Sequence, residues 1–311
     1  MAYTRESRKD YAETRAIELK ETLAKAVEEL EQSDNWKKYL KANSKFHKYS
    51  FNNIMLILAQ FEDATNVASY KTWTTMGRSV MKGQKGITIM TPRPYKKRDE
   101  AGNPIVDAAG NEVKRMSFGT GSVFDISQTE ITDLELWAHM TEGSSLVKIL
   151  DMEVKDGSIL DSLAKVAEAI GFKFILDDLE GRSETSNGYT TLGADVKEIH
   201  VRESLPLAQK IKTACHELGH ALMHADEGET YSEDGRAHRG IAEIEAESVA
   251  FIVCDAFGMD TSEYSIGYLA SWSKGNADMI RQIGESINKA SKRIMHELDK
   301  LHGVVVEEEA E

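Results

Sequence analysis

Two imidazoles and a carboxylate stand close together in Cys215-His216-Glu217-Leu218-Gly219-His220, in the pattern H-E-x-x-H. At about 3.6 residues per turn, residues four apart lie on one side of a helix. His216 and His220 would therefore point the same way, one turn apart, and could close on one metal ion. Glu217 could reach a water beside that ion and take its proton. Two imidazoles with a neighbouring carboxylate base is the arrangement of zinc hydrolases, so Zn2+ is the expected cofactor and Glu217 the expected catalytic base.

This chemistry needs a helix to carry it. Ile211, Ala214, Leu218, Ala221 and Leu222 recur mostly at three- and four-residue spacing and give one apolar stripe. Pro206 stands just upstream, where a helix start accepts it. A third ligand is expected from the segment Ile241 to Val253, which reads as a second amphipathic helix with acids at Glu243, Glu245 and Glu247. Glu243 and Glu247 share a face, and Glu245 lies on another side. Glu243 is the expected ligand. Glu247, one turn on, is the expected acceptor for the N–H of a ligand histidine. His224, four past His220, is read as a polar residue at the helix end, and His238 as a loop residue. The longer pattern with a third His six residues after His220 is excluded, because Asp226 stands there.

At 311 residues the chain is long enough for two domains. No stretch approaches the roughly 20 apolar residues of a membrane span, and the N-terminus lacks the apolar centre of a signal peptide. Two cysteines, Cys215 and Cys254, are too few for a disulfide framework and read as reduced core residues, which points to the cytoplasm. The net charge of −14 is unevenly spread. Residues 36–98 hold thirteen Lys or Arg against two acids, Glu62 and Asp63, whereas residues 131–311 hold seventeen against thirty-five. A basic section joined to an acidic one implies two different jobs.

The expected architecture is α+β in two domains. Residues 1–130 form a basic helix-plus-sheet domain, 131–147 a linker and 148–311 the metal-bearing domain. Residues 8–33 carry a loose helical stripe of Ala12, Ile17, Leu23, Val27 and Leu30, and Trp36 to Gln60 read as further helix. A Gly-punctuated loop precedes a strand at Ile87–Met90. Turn signals at Gly102-Asn103 and Gly110-Asn111 imply a hairpin excursion that returns through Lys114–Ile126. Leu146–Leu150 and Gly171–Leu176 read as strands, Ile159–Ile170 as a helix, and Gly188–Thr191 with Glu198–Val201 as paired strands. Residues 262–302 read as helical, and Glu307–Glu311 as an acidic tail. In the basic section, cations interleaved with aromatics suit single-stranded nucleic acid, whose phosphates attract Lys and Arg and whose bases stack on rings. The expected contacts are Lys45, Lys48, Tyr49, Asn52, Tyr70, Trp73, Arg78, Lys82 and Lys85.

Two sets of motifs resemble known families. His47-Lys48-Tyr49-Ser50-Phe51-Asn52-Asn53, Ala64 through Trp73, Gly77 through Ile87 and Val123 through Glu130 together resemble the single-stranded-DNA-binding N-terminal domain of the ArdC antirestriction proteins and their LtrC-like relatives. His216 through Leu222, followed by Glu243-Ile244-Glu245-Ala246-Glu247, resembles the ImmA/IrrE metallopeptidases, whose second metal helix carries E-x-x-A-[NDE]. On that resemblance the ligand is Glu243 and its i+4 partner Glu247. The chain departs from the family after this helix, where Ile252-Val253-Cys254-Asp255 replaces the usual L-L-M-P. The resemblance implies a mobile-element protein in a bacterial cytoplasm that binds single-stranded DNA, opposes restriction and cleaves a protein substrate of unknown identity. The rival readings are a DNA-protecting protein with a purely structural zinc, and a repressor-cleaving regulatory peptidase.

Overall fold

The computed structural model describes residues 5–31, 33–99, 103–106, 110, 112–142, 157–180, 186–191, 196–225, 235–261 and 276–303. The chain is α+β. It opens with three helices, α1 (Arg5–Glu29), α2 (Ser33–Lys45) and α3 (Phe51–Gln60). The Trp36–Gln60 stretch breaks at Phe46–Ser50 because Ser50 takes an extended backbone and its hydroxyl accepts from the N–H of Asn53, capping α3. On α1 the buried stripe is Leu19, Leu23, Ala26 and Val27, joined by Leu30 just past its end. Ile17, expected in that stripe, is exposed instead. Lys37, Lys38, Lys41, Lys45 and Lys48 all point to solvent.

A three-stranded antiparallel sheet follows, ordered β1 (Val67–Ser69), β4 (Lys114–Asp125), β3 (Ile87–Lys96). A short helix α4 (Tyr70–Thr75) and a two-stranded pair, β2 (Arg78–Val80) with β5 (Thr129–Ile131), complete this part. The expected hairpin is present, with β3 and β4 in register from Ile87↔Val123 to Lys96↔Lys114. The outer edge of β3 is closed. Asn53 on α3 bonds both the N–H and the carbonyl of Met90, and Gln60 does the same for Thr88. Further along stand Pro92 and Pro94, which have no N–H to offer. Such an edge cannot template an added strand.

Part of the expected 131–147 linker is ordered: residue 131 ends β5, and α5 spans Leu134–Glu142. Residues 143–147 and the expected strand at 146–150 lie outside the described residues, as do 262–275 and the acidic tail. The acidic half then runs α6 (Ser158–Ala169), β6 (Lys173–Asp177), β7 (Gly188–Thr190), β8 (Glu198–Arg202), α7 (Leu207–Met223), α8 (Gly235–Ala256) and α9 (Ala277–Leu301). β8 is the central strand, parallel to β6 and antiparallel to β7. It buries Ile199 and Val201 beneath α7.

The core is continuous across both halves, from Leu19 on α1 to Leu298 on α9. Polar contacts pin the seam. The Tyr39 hydroxyl donates to the Gly284 carbonyl at 3.1 Å, Ser44 Oγ donates to Asp255 Oδ2 at 2.6 Å, and Asn288 donates to the Tyr49 carbonyl at 3.2 Å. Gly284 gives the buried Phe51 ring its place, since a Cβ there would stand 2.2 Å from Phe51 Cε2. His47, also buried in this seam, lies 4.0 Å from the Asp299 carboxylate. Burial holds the His47 pKa below the ordinary value, against the pull of Asp299.

Two outcomes are expected from this seam. Gly284→Ala gains about 1 kcal/mol of helix propensity. The methyl collides with a ring that has nowhere to go, at a cost of about 1–3 kcal/mol or more, so the variant should melt several degrees below the parent in a thermal scan. The folded-state pKa of His47 is depressed, so its contribution to stability is present above the unfolded value near 6.5 and is lost as pH falls below it. Denaturant titrations should show wild type losing stability on acidification from about pH 7 to about pH 5. His47→Gln should lose less, by up to about 1.4 kcal/mol per pH unit.

Candidate metal centre

Helix α7 begins after Pro206 and ends at His224, whose N–H still bonds to the His220 carbonyl. Its buried side carries Ile211, Ala214, Cys215, Leu218 and Ala221. That anchoring turns His216 and His220 outward together, with their Nε2 atoms 3.1 Å apart. Helix α8 packs alongside, with Ala246 and Val249 against Gly219. The crossing is tight at Gly219, where a Cβ would stand 3.1 Å from Ala246 Cα. This close approach brings Glu243 over the histidines. Its Oε2 lies 3.4 Å from His216 Nε2 and its Oε1 3.5 Å from His220 Nε2. One turn on, Glu247 Oε2 lies 3.4 Å from His216 Nδ1, while Lys212 Nζ holds its other oxygen at 3.0 Å.

Glu217 points the other way, toward β7. The Thr190 hydroxyl lies 2.8 Å from Glu217 Oε2 and 3.0 Å from the Glu217 carbonyl. Gly188 leaves the room for this carboxylate, since a Cβ there would stand 3.2 Å from Glu217 Oε1 and 2.7 Å from the His200 carbonyl. A cleft of about 280 Å³ opens here, lined by Asn187, Gly188, Lys212, Thr213, His216, Glu217 and Glu247 among others. The base Glu217, the His216 imidazole and Lys212 thus share one small opening between β7, α7 and α8.

The electrostatics follow from this crowding. Burial pushes the Glu217 pKa above the ordinary carboxylate range, and the neighbouring histidines and Thr190 only partly offset it. Burial alone would lower His216, but the carboxylates of Glu243 and Glu247 raise it to about 10. Glu243 is held well below its usual value by hydrogen bonds to His216 and His220. Glu247 is also lowered, because hydrogen bonds to His216 and Lys212 outweigh its burial.

Ligand atoms of His216, His220 and Glu243 all lie within 4.8 Å of one another. Two facing Nε2 atoms can share only one proton, so a lone pair remains that a cation can take. Two nitrogens and one oxygen suit a borderline divalent ion such as Zn2+ or Mn2+. The residues therefore fit a divalent metal.

The other candidates separate. His224 is buried and pairs with Glu245, 3.3 Å from His224 Nε2 to Glu245 Oε2, on the far side of Glu243 and Glu247. The side chain of His238 lies outside the described residues. Among the expected nucleic-acid contacts, Lys45, Lys48, Tyr70, Lys82 and Lys85 are exposed. Tyr49 and Asn52 are partly buried, and the Tyr49 hydroxyl donates to the Val67 carbonyl. Trp73 and Arg78, also among the expected contacts, are buried. The Trp73 indole donates to the Phe124 carbonyl, and Arg78 bonds Thr129 while its guanidinium stacks 4.6 Å over the Trp137 ring. An arginine and an aromatic satisfied by each other's neighbourhood look the same in sequence as a pair awaiting a ligand. Thr190, Lys212 and Gly188 went unread because they join the site only through β7 and the first turns of α7.

Comparison with known proteins finds two matching stretches. Residues 9–124 match the family described as the N-terminal domain of anti-restriction factor ArdC, and residues 167–265 the family described as the IrrE N-terminal-like domain of peptidase M78. An uncharacterised protein of Bacillus anthracis is 27% identical over 282 residues, which cover 76% of this chain and 42% of that protein. The chain thus spans less than half the length of that relative. The metal-free crystal structure of the antirestriction protein ArdC from plasmid R388 is 18% identical with a TM-score of 0.48, covering 81% of this chain and 86% of that one. The Mn(II)-bound structure of the same protein is 16% identical with a TM-score of 0.43, covering 80% and 85%. Among the described residues no helix is long and apolar enough to cross a membrane. The chain thus carries a stretch that matches an ArdC-type N-terminal domain, residues 9–124, followed by one that matches an IrrE-like domain of the M78 peptidase family, residues 167–265.

Proposed function

We propose that this is an antirestriction-type protein of a mobile element, acting in a bacterial cytoplasm, with two linked activities. The ArdC-type half binds single-stranded DNA, and the IrrE-like half is a zinc-dependent endopeptidase. The observation that carries the second reading is the meeting of His216, His220 and Glu243, with the buried base Glu217 beside His216 at the wall of a cleft. A purely structural site needs no such base, which weighs against the structural-zinc alternative. The basic, exposed Lys45, Lys48, Lys82 and Lys85 support the first.

His216, His220 and Glu243 would hold the ion, and Glu247 orients the His216 ring through Nδ1. When bound, Zn2+ supplies Lewis acidity toward a peptide carbonyl and acidifies a water. Glu217 takes the proton of the attacking water and returns it to the leaving amine. Its burial makes it a stronger base than an ordinary carboxylate, and the Thr190 hydroxyl fixes which oxygen faces the cleft. Lys212 holds Glu247 and adds positive charge near the opening.

Elemental analysis of chelator-free wild type should find about one zinc per chain, and Glu243→Ala should carry far less. Zinc retained in that variant would move the third ligand elsewhere, while none in the wild type would remove the metallopeptidase reading. Glu217→Gln should keep its zinc and lose about 100-fold or more of its cleavage of an unfolded protein such as casein. Cleavage at the wild-type rate would take the base role from Glu217.

A further inference from the structure

The distal half of the β3–β4 hairpin stands away from the body of the protein. Arg93–Lys96 on β3 and Lys114–Phe118 on β4 are exposed at every position, so both faces of the ribbon meet solvent. A two-stranded ribbon is marginal by itself, and apolar side chains on it cost solubility without adding core. This one nevertheless exposes Phe118 at 70%, with Met116 and Tyr95 each at 48%. Opposed residues share a face. Phe118, Met116 and Lys114 therefore line one side, across from Pro92, Pro94 and Lys96, while Tyr95 and Arg115 stand opposite each other on the reverse.

The charge on this arm is the reverse of the protein's. Residues 92–118 hold six Lys or Arg against four acids, Asp99, Glu100, Asp107 and Glu112, in a chain of net charge −14, and Glu112 is paired with Lys96. The occupant that this charge attracts is a polyanion. A strand-adding peptide is disfavoured along the β3 edge, because Asn53 and Gln60 close one stretch of it and Pro92 and Pro94 deny donors on the next. Rings flanked by cations suit unpaired bases, which can reach an aromatic face, better than a duplex, which hides its bases in the stack.

We propose that the β3–β4 ribbon is a grip for single-stranded nucleic acid, with Phe118 as a base-stacking platform and Lys114 and Arg115 as phosphate contacts. None of these residues was among the contacts expected from the sequence, and the inference rests on the nucleic-acid reading of the ArdC-type half. The ribbon extends the binding path beyond the lysines of α2 and of the loop before β3.

The test is fluorescence anisotropy of the full chain with a dye-labelled oligothymidylate of about 20 nucleotides. Phe118→Ala should weaken binding about tenfold, and Lys114→Ala/Arg115→Ala should lower the slope of log K against log salt by about 1.4. Leu134→Ala, an equally exposed apolar residue off the ribbon, should change neither, and circular dichroism should show all variants folded. Wild-type binding kept within about twofold by both ribbon variants would overturn the ribbon assignment and leave the nucleic-acid reading standing. Tighter binding to a duplex of the same length would overturn the single-strand assignment. A wild type that binds neither form would remove the underlying reading, and the inference with it.

Discussion

The candidate metal site depends on how closely two helices can approach. His216 and His220 are a property of α7 alone, but Glu243 belongs to α8, and the distance between helix axes decides whether a carboxylate can reach both imidazoles. Gly219 sets that distance. With no side chain there, the backbone of α8 at Ala246 comes almost into contact, and Val249 packs beside it. A larger residue at the crossing would lever α8 outward and separate 3.4–3.5 Å pairs that have little slack. The two buried thiols, Cys215 and Cys254, lie on these same two helices, filling space that a longer side chain could not.

The same helix α8 ties the metal site to the basic half. Its C-terminal end carries Asp255, which accepts from Ser44 on α2, and the opposite face of α2 exposes Lys37, Lys41 and Lys45. One helix thus has a lysine face toward solvent and a polar contact to the helix that bears Glu243 and Glu247. α9 closes the arrangement by packing on both α3 and α8, with Gly284 receiving the Phe51 ring and its carbonyl accepting from Tyr39. The buried seam makes the relative placement of the two halves a matter of core packing rather than of a tether.

Around the site, each strongly interacting group has a partner that limits its freedom. Glu247 is shared between Lys212 and His216, Glu217 is held by Thr190, and His224 takes Glu245 away from the centre. Glu243, the more exposed acid, is held by His216 and His220 themselves, while the base stays fixed against β7.

Local sequence determined the elements and part of the chemistry. The spacing of His216, Glu217 and His220, the apolar stripe of α7, the paired strands at 188–190 and 198–202, and the i,i+4 relation of Glu243 and Glu247 all follow from helical and strand periods, which are properties of neighbouring residues. Charge segregation between residues 36–98 and 131–311 was equally legible. Tertiary structure alone decided the rest. It sent Glu245 to His224, brought Thr190 and Gly188 against Glu217, turned Trp73 and Arg78 inward and left Phe118 in solvent. It also exposed Ile17 and ran one core through both halves. The physical reason is that burial and pairing are set by which surfaces meet, and in this chain those surfaces are far apart in sequence: 27 residues separate Thr190 from Glu217, and 245 separate Tyr39 from Gly284.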